Sequence, residues 1–150
     1  KTRGPPGRLP IPETRARGDT PTPTAALERY SRSLGLAFQL QDDLLGLFGT
    51  PTTVGKGPLS DLREGKFTAV IAHARNTDDW PRIEPQLGRA PLSQAEGAAL
   101  RDLIDRSGAR SRTEAELASA LADARAAAGH VPPYTQVLTD LVDSLEGRRG

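Results

Sequence analysis

The stretch from Thr22 to Gly49 constrains this chain more than any other. Apolar residues recur there at Leu27, Tyr30, Leu34, Phe38, Leu44, Leu45 and Phe48. The intervals are mostly three, four or seven, the repeat of one helix face. Thr22 is suited to an N-cap, with Pro23 at the first helical position. Gly49-Thr50-Pro51 marks the end. One long helix is therefore expected, and it sets the pattern for the rest of the chain.

The remaining text also reads as helices. Ser60 or Asp61 opens a second, with Leu62, Phe67, Val70, Ile71 and Ala74 on its inner face. Trp80, Ile83 and Leu87 suggest a brief third. Ser93-Gln-Ala-Glu96 fits a capping box, and Ser107-Gly108 ends the helix it opens. Ser111-Arg-Thr-Glu114 fits a second box, opening an Ala-rich helix through Leu117 and Leu121 to Gly129. Pro132-Pro133 starts a last helix with Val137, Leu138, Leu141, Val142 and Leu145. No segment alternates as a strand would, and there are no repeats or heptads. The expected class is all-α, an antiparallel helix bundle.

Residues 3–23 differ. They are dense in Gly, Pro and Arg, and Pro at 5, 6, 10, 12, 21 and 23 precludes a helix of any length. On composition this is a disordered linker. Residues 1–23 are thus set apart as an irregular segment, and 24–150 as a helical unit. The chain begins at Lys1 and contains no Met, which reads as a fragment or a processed chain. It has no Cys, excluding a disulfide framework and a thiolate metal site. No apolar run approaches the roughly 20 residues that cross a bilayer. A cytoplasmic location is the default. The net charge of +1 and the 4% aromatic content give no basis for nucleic-acid binding. Hydrophobic residues make up only 36%, so part of the apolar surface is expected to pack against segments outside this chain.

The chemistry sits between Gly35 and Lys66. Gln39, Asp42, Asp43 and Gly46 share one helix face. Two adjacent carboxylates on a mostly apolar helix are expensive to bury without a cation. Hard oxygen ligands suit Mg²⁺, which keeps several waters and bridges to phosphates. Lys56, between two glycines, and Lys66 come next, and with a metal they make a diphosphate clamp. Taken alone, an Asp-Asp pair is usually a solvated helix face and a lone Gly-Lys an ordinary loop. The Gly-x4-Gly-Lys-Ser/Thr spacing of a P-loop is absent.

The order of the motifs adds to this. Phe38-Gln39-Leu-Gln-Asp42-Asp43-Leu-Leu-Gly is succeeded by Phe48-Gly49-x-Pro51, Gly55-Lys56 and Asp61-Leu-Arg-x-Gly-Lys66. The run resembles the second aspartate-rich region of the trans-isoprenyl (polyprenyl) diphosphate synthases, which include farnesyl and geranylgeranyl diphosphate synthases. The resemblance implies a helix bundle with two carboxylate sites facing across a cavity. It implies condensation of an allylic diphosphate with isopentenyl diphosphate, and a full-length homodimer. Asp42 and Asp43 would bind Mg²⁺. Gln39, Lys56 and Lys66 would contact the substrate diphosphate, the two lysines assisting its departure. Lys1-Thr2 resembles the family's Lys-Thr pair, which also touches diphosphate. Phe38 and Leu45 would line the cavity.

Three departures qualify the expectation. Gly46 stands where many members carry a third Asp. The first aspartate-rich motif is absent, so this chain alone is expected to be inactive. Residues 3–23 replace an apolar helix, although the spacing from Lys1 to Gln39 is kept. Text rich in Arg, Gly, Pro and Ala is the product of a GC-rich gene in a shifted frame, so a compensated pair of frameshifts is the hypothesis. Translating the DNA in the other two frames tests it, and finding no apolar helix there would end it. The alternatives are a non-catalytic helical fragment or subunit, and a terpene cyclase-like diphosphate-binding protein. His73 and His130 have no ligand spacing and are assigned no function.

Overall fold

The structure is a computed structural model, and it describes residues 20–49, 59–89 and 91–148. Every regular element among them is helical. These residues form, in order, α1 Pro23–Phe48, α2 Ser60–Glu64, α3 Ala69–Ala74, α4 Trp80–Ile83, α5 Gln94–Arg106, α6 Ala109–Ala128 and α7 Thr135–Glu146. A 3-10 turn at Glu84–Gln86 extends α4.

Helix α1 forms as its sequence dictates. The Thr22 hydroxyl accepts from the Ala25 N–H, Pro23 fills the first turn, and Gly49 closes the end. Ala26, Tyr30, Ala37 and Leu40 are buried along one side, where α6 packs antiparallel. Arg29 pairs with Asp123 near one end, and the Arg110 guanidinium lies 4.7 Å from the Phe48 ring at the other. Small residues on α6, Ala120, Ala124, Ala127 and Ala128, are all buried at this contact. They let two long helices approach closely. Helix α7 lies alongside. Tyr30 Oη donates to the Leu138 carbonyl at 2.8 Å and Gln41 Nε2 to the Leu145 carbonyl at 2.9 Å. Arg125 of α6 holds Asp143 and Glu146 of α7.

The core falls into two clusters. One joins α1, α6 and α7 around Leu40, Leu121 and Val142. The other joins the end of α1 to α2, α3, α4 and α5 around Leu62, Ile71, Leu100 and Ile104. Leu44 packs against both, so α1 is the common strut.

Three boundaries depart from the sequence expectation. The second helix is broken. Gly65, at φ 63°, ends α2, and Thr68 caps α3 by accepting from the Ile71 N–H. Phe67 falls in the break and is 66% exposed instead of facing inward. A left-handed glycine and a hydroxyl cap after it override a continuous apolar period. Second, Ser111 and Glu114 form no capping box. Gly108, at φ 83°, starts α6 at Ala109, and Glu114 turns to Arg110 at 2.9 Å. The box predicted at Ser93 and Glu96 is present. Third, α7 starts at Thr135, after the two prolines, and leaves Val137 and Leu141 exposed. The irregular reading of residues 1–23 lies mostly outside the described residues.

Candidate functional site

Among the described residues, the acidic pair of α1 lies opposite the break between α2 and α3. Asp42 and Gln39 are exposed, and Asp43 is half-buried. Asp43 Oδ2 accepts from the Ala69 N–H at 2.7 Å, which satisfies a donor that the first turn of α3 leaves free.

The break itself builds the other side. Gly65 N–H donates to the Leu62 carbonyl at 3.2 Å and Lys66 N–H to the Asp61 carbonyl at 2.9 Å, the paired bonds of a Schellman motif. That closure brings the Lys66 and Asp61 side chains together, with Nζ 2.8 Å from Asp61 Oδ1 and 3.1 Å from Glu64 Oε2. Asp61 in turn sits over α1. A Cβ added at Gly46 would lie 2.5 Å from Asp61 Oδ2. The α2 carboxylate therefore occupies the space into which a side chain at position 46 would project. The sequence motif contains Asp61 without assigning it a role. Its five-residue spacing to Lys66, with the glycine between, is the signal that could have found it.

Electrostatics reflect this crowding. Burial raises the Asp43 carboxyl above its ordinary pKa. The hydrogen bond from Ala69 works against that shift, while Asp61 and Asp42 add to it and Lys66 relieves it. Lys66 is raised by its bonds to Asp61 and Glu64. Four carboxylates, Asp42, Asp43, Asp61 and Glu64, thus gather around one ammonium, with negative charge in excess. No group of three or more acidic or imidazole side chains converges tightly enough to enclose a metal among the described residues. Mg²⁺ does not need such a cage, because one or two carboxylates suffice when water and phosphate complete its shell. The donor set, oxygen-only and under-neutralised, fits that ion.

Of the residues predicted from sequence, Gln39, Asp42, Asp43 and Lys66 are described, and Asp43 and Lys66 interact through Asp61. Lys56, Lys1 and Thr2 lie outside the described residues. His73 bonds Glu116 at 2.9 Å and ties α3 to α6.

The chain is similar to known proteins in sequence and in fold. The polyprenyl synthetase family profile matches residues 14–104. The chain is 40% identical over 99 residues to a (2E,6E)-farnesyl diphosphate synthase of Mycobacterium tuberculosis, covering 61% of this chain and 27% of that protein. It is 48% identical over 54 residues to a short chain isoprenyl diphosphate synthase of Methanocaldococcus jannaschii, covering 36% and 16%. The fold superposes on geranylgeranyl pyrophosphate synthase from Corynebacterium glutamicum, a structure complexed with isoprenyl diphosphate and magnesium. The TM-score is 0.74 at 32% identity, over 83% of this chain and 37% of that one. A polyprenyl synthase from Caulobacter crescentus, complexed with calcium and isoprenyl diphosphate, gives 0.69 at 35% identity, over 83% and 40%. The chain spans well under half the length of each of these relatives.

Proposed function

The chain belongs to the polyprenyl synthetase family, and from that premise we propose that it carries one of the two metal–diphosphate sites of a prenyltransferase. The observation that carries the reading is the shared field of Asp42, Asp43, Asp61 and Lys66 around the broken helix. Asp42 and Asp43 hold Mg²⁺. When bound, the ion would supply positive charge to offset that of the departing allylic diphosphate. Lys66 binds the diphosphate oxygens, exchanging its contacts with Asp61 and Glu64 for the more highly charged group. Gln39, one turn before Asp42 and Asp43, offers an amide to the same ligand. Lys56, Lys1 and Thr2 complete the diphosphate contacts on the strength of the motif alone. The reaction served is the condensation of an allylic diphosphate with isopentenyl diphosphate. A full-length homodimer and a cytoplasmic setting are part of the same proposal.

Titration calorimetry with Mg²⁺ and inorganic pyrophosphate tests the site without requiring turnover. Pyrophosphate should bind only when Mg²⁺ is present, and Asp42→Asn or Asp43→Asn should each remove most of the affinity. Equal binding with and without the ion would sink the proposal. A second reading is a helical piece that packs without catalysing. That reading expects no magnesium-dependent binding at all.

A further inference from the structure

Leu59, the N-cap of α2, holds a left-handed conformation, at φ 78° and ψ 8°. Among the described residues it is the one non-glycine with a positive φ. A bulky side chain is crowded by its own backbone there. Leu59 is also buried, at 5% exposure, and its side chain ends on Gly97 of α5. A Cβ added at Gly97 would lie 2.5 Å from Leu59 Cδ1. Gly97 is a second unfavourable choice, because it stands inside α5, where alanine would favour the helix. Two such choices on separate elements meet at one contact. Backbone strain of this kind persists only where the surroundings over-determine it, and it collects at functional sites.

The contact seats α2. That helix has five residues, too few to hold by its own hydrogen bonds, so its place is set from outside. Leu59 fills the slot over Gly97, and Asp61 fills the space beside Gly46 of α1. Gly65 lies against Gly88, whose N–H donates to the Leu62 carbonyl at 3.0 Å. At each point a missing side chain on one partner lets the other approach. The Leu59 carbonyl accepts from the Arg63 N–H at 3.1 Å, so the backbone of Leu59 starts the helix, and a shift there carries Asp61 with it. Packing alone has an easier solution, glycine at 59 and alanine at 97, which removes both unfavourable choices. It would leave α2 without the side chain that registers it on α5.

We propose that Leu59 and Gly97 are positioning residues: Leu59, seated in the Gly97 slot, fixes the start of α2 and thereby holds Asp61 beside Gly46 and in reach of Lys66. The inference rests on the reading of that cluster as a magnesium–diphosphate site. Both residues act through Asp61. Its Oδ1 holds Lys66 Nζ at 2.8 Å, and its carbonyl accepts from the Lys66 N–H at 2.9 Å. A displaced α2 therefore moves the carboxylate and the ammonium together. Asp43 keeps its own bond to the Ala69 N–H, so the defect falls on the lysine side of the site.

The test is a cycle of two substitutions in residues 1–150. Gly97→Ala puts a methyl group against Leu59 Cδ1, and Leu59→Ala empties the slot. Each alone should lower magnesium–pyrophosphate affinity about fivefold or more. In the double variant the two alanines face each other in ordinary contact, because the Leu59 Cβ lies 3.8 Å from the Cβ position at Gly97. The double variant should therefore bind more tightly than either single one, a rescue that two independent losses of stability would not give. A ligand-free readout runs beside it. The nuclear Overhauser cross-peak between the Gly46 α-protons and the Asp61 β-protons should weaken in each single variant and return in the double. If the wild type binds no magnesium–pyrophosphate while the cross-peak follows this order, the site reading fails and the positioning stands. Should Gly97→Ala not fold, Leu59→Ala adds no atom and carries the test by the same cross-peak. The proposal is overturned if the single variants leave cross-peak and affinity unchanged, or if the double variant is no better than the worse of the two.

Discussion

Asp43 is under strain of a kind that a cation relieves. Its carboxyl is partly buried, faces two other carboxylates, and has its pKa raised by that burial and company. A carboxyl whose folded pKa lies above its unfolded value favours folding while protonated, and that contribution is lost as pH rises through the folded value. Without metal, Asp43→Asn should therefore be more stable than the wild type at neutral pH, with the difference vanishing in acid below the carboxylate range. Thermal melts at several pH values check this, and a neutral-pH loss of stability would contradict it. Adding Mg²⁺ with pyrophosphate should raise the wild-type midpoint and leave that of Asp43→Asn nearly unmoved. Gly46 carries the companion prediction. A methyl group there meets Asp61 Oδ2, so Gly46→Ala must push that carboxylate away from Lys66. An exposed ion pair contributes little to stability, so the expected effect is weaker magnesium–pyrophosphate binding with a nearly unchanged melting point. At this scale the placing of Asp42 and Asp43 together on the long helix was legible from its apolar period. Asp61 was not, because its position depends on a side chain that Gly46 lacks.

Elements were legible where a side chain reports its own backbone. Thr22 and Ser93 cap the helices their sequences announce. The break between α2 and α3 was not legible, because Leu62, Val70 and Ile71 continue one apolar period across it. What decides the break is Gly65 in a left-handed conformation, a preference a sequence can hint at but not place. The same local rule misled at Ser111, where a capping pattern lies inside a helix that Gly108 had already started. Gly65 is also the hinge of the site, since its closure brings Lys66 to Asp61. Gly65→Ala would put a Cβ at φ +63° and 3.1 Å from the Gly88 Cα. The conformation alone costs about 1–2 kcal/mol, and backbone on the far side cannot yield as a side chain would. Urea unfolding should show at least that loss, and magnesium–pyrophosphate affinity should fall with it.

Across the whole molecule, α1 joins two cores that meet at Leu44. Its apolar residues Leu27 and Phe38 face outward, which agrees with a composition of only 36% hydrophobic residues. The helical class was legible from periodicity. The closeness of α1 to α6 was not, because it rests on the alanines of α6, which carry little amphipathic signal. The expectation that residues 1–150 carry one carboxylate site has a kinetic consequence. Ionisation of an allylic diphosphate develops charge on a group that the proposed site grips from one side only. A metal contact at a departing group is worth several kcal/mol. Lacking the opposing carboxylates at a loss of about 4 kcal/mol would slow the step about a thousandfold. Residues 1–150 alone should therefore bind magnesium and pyrophosphate yet yield no detectable prenyl product from farnesyl and isopentenyl diphosphates. Radiolabelled isopentenyl diphosphate with product extraction measures it directly. Clear product from this chain would mean that one carboxylate site suffices for ionisation. Product that appears only when the unmatched part of a relative is added, and that Asp43→Asn abolishes, would locate the missing charge on the other face of the bundle.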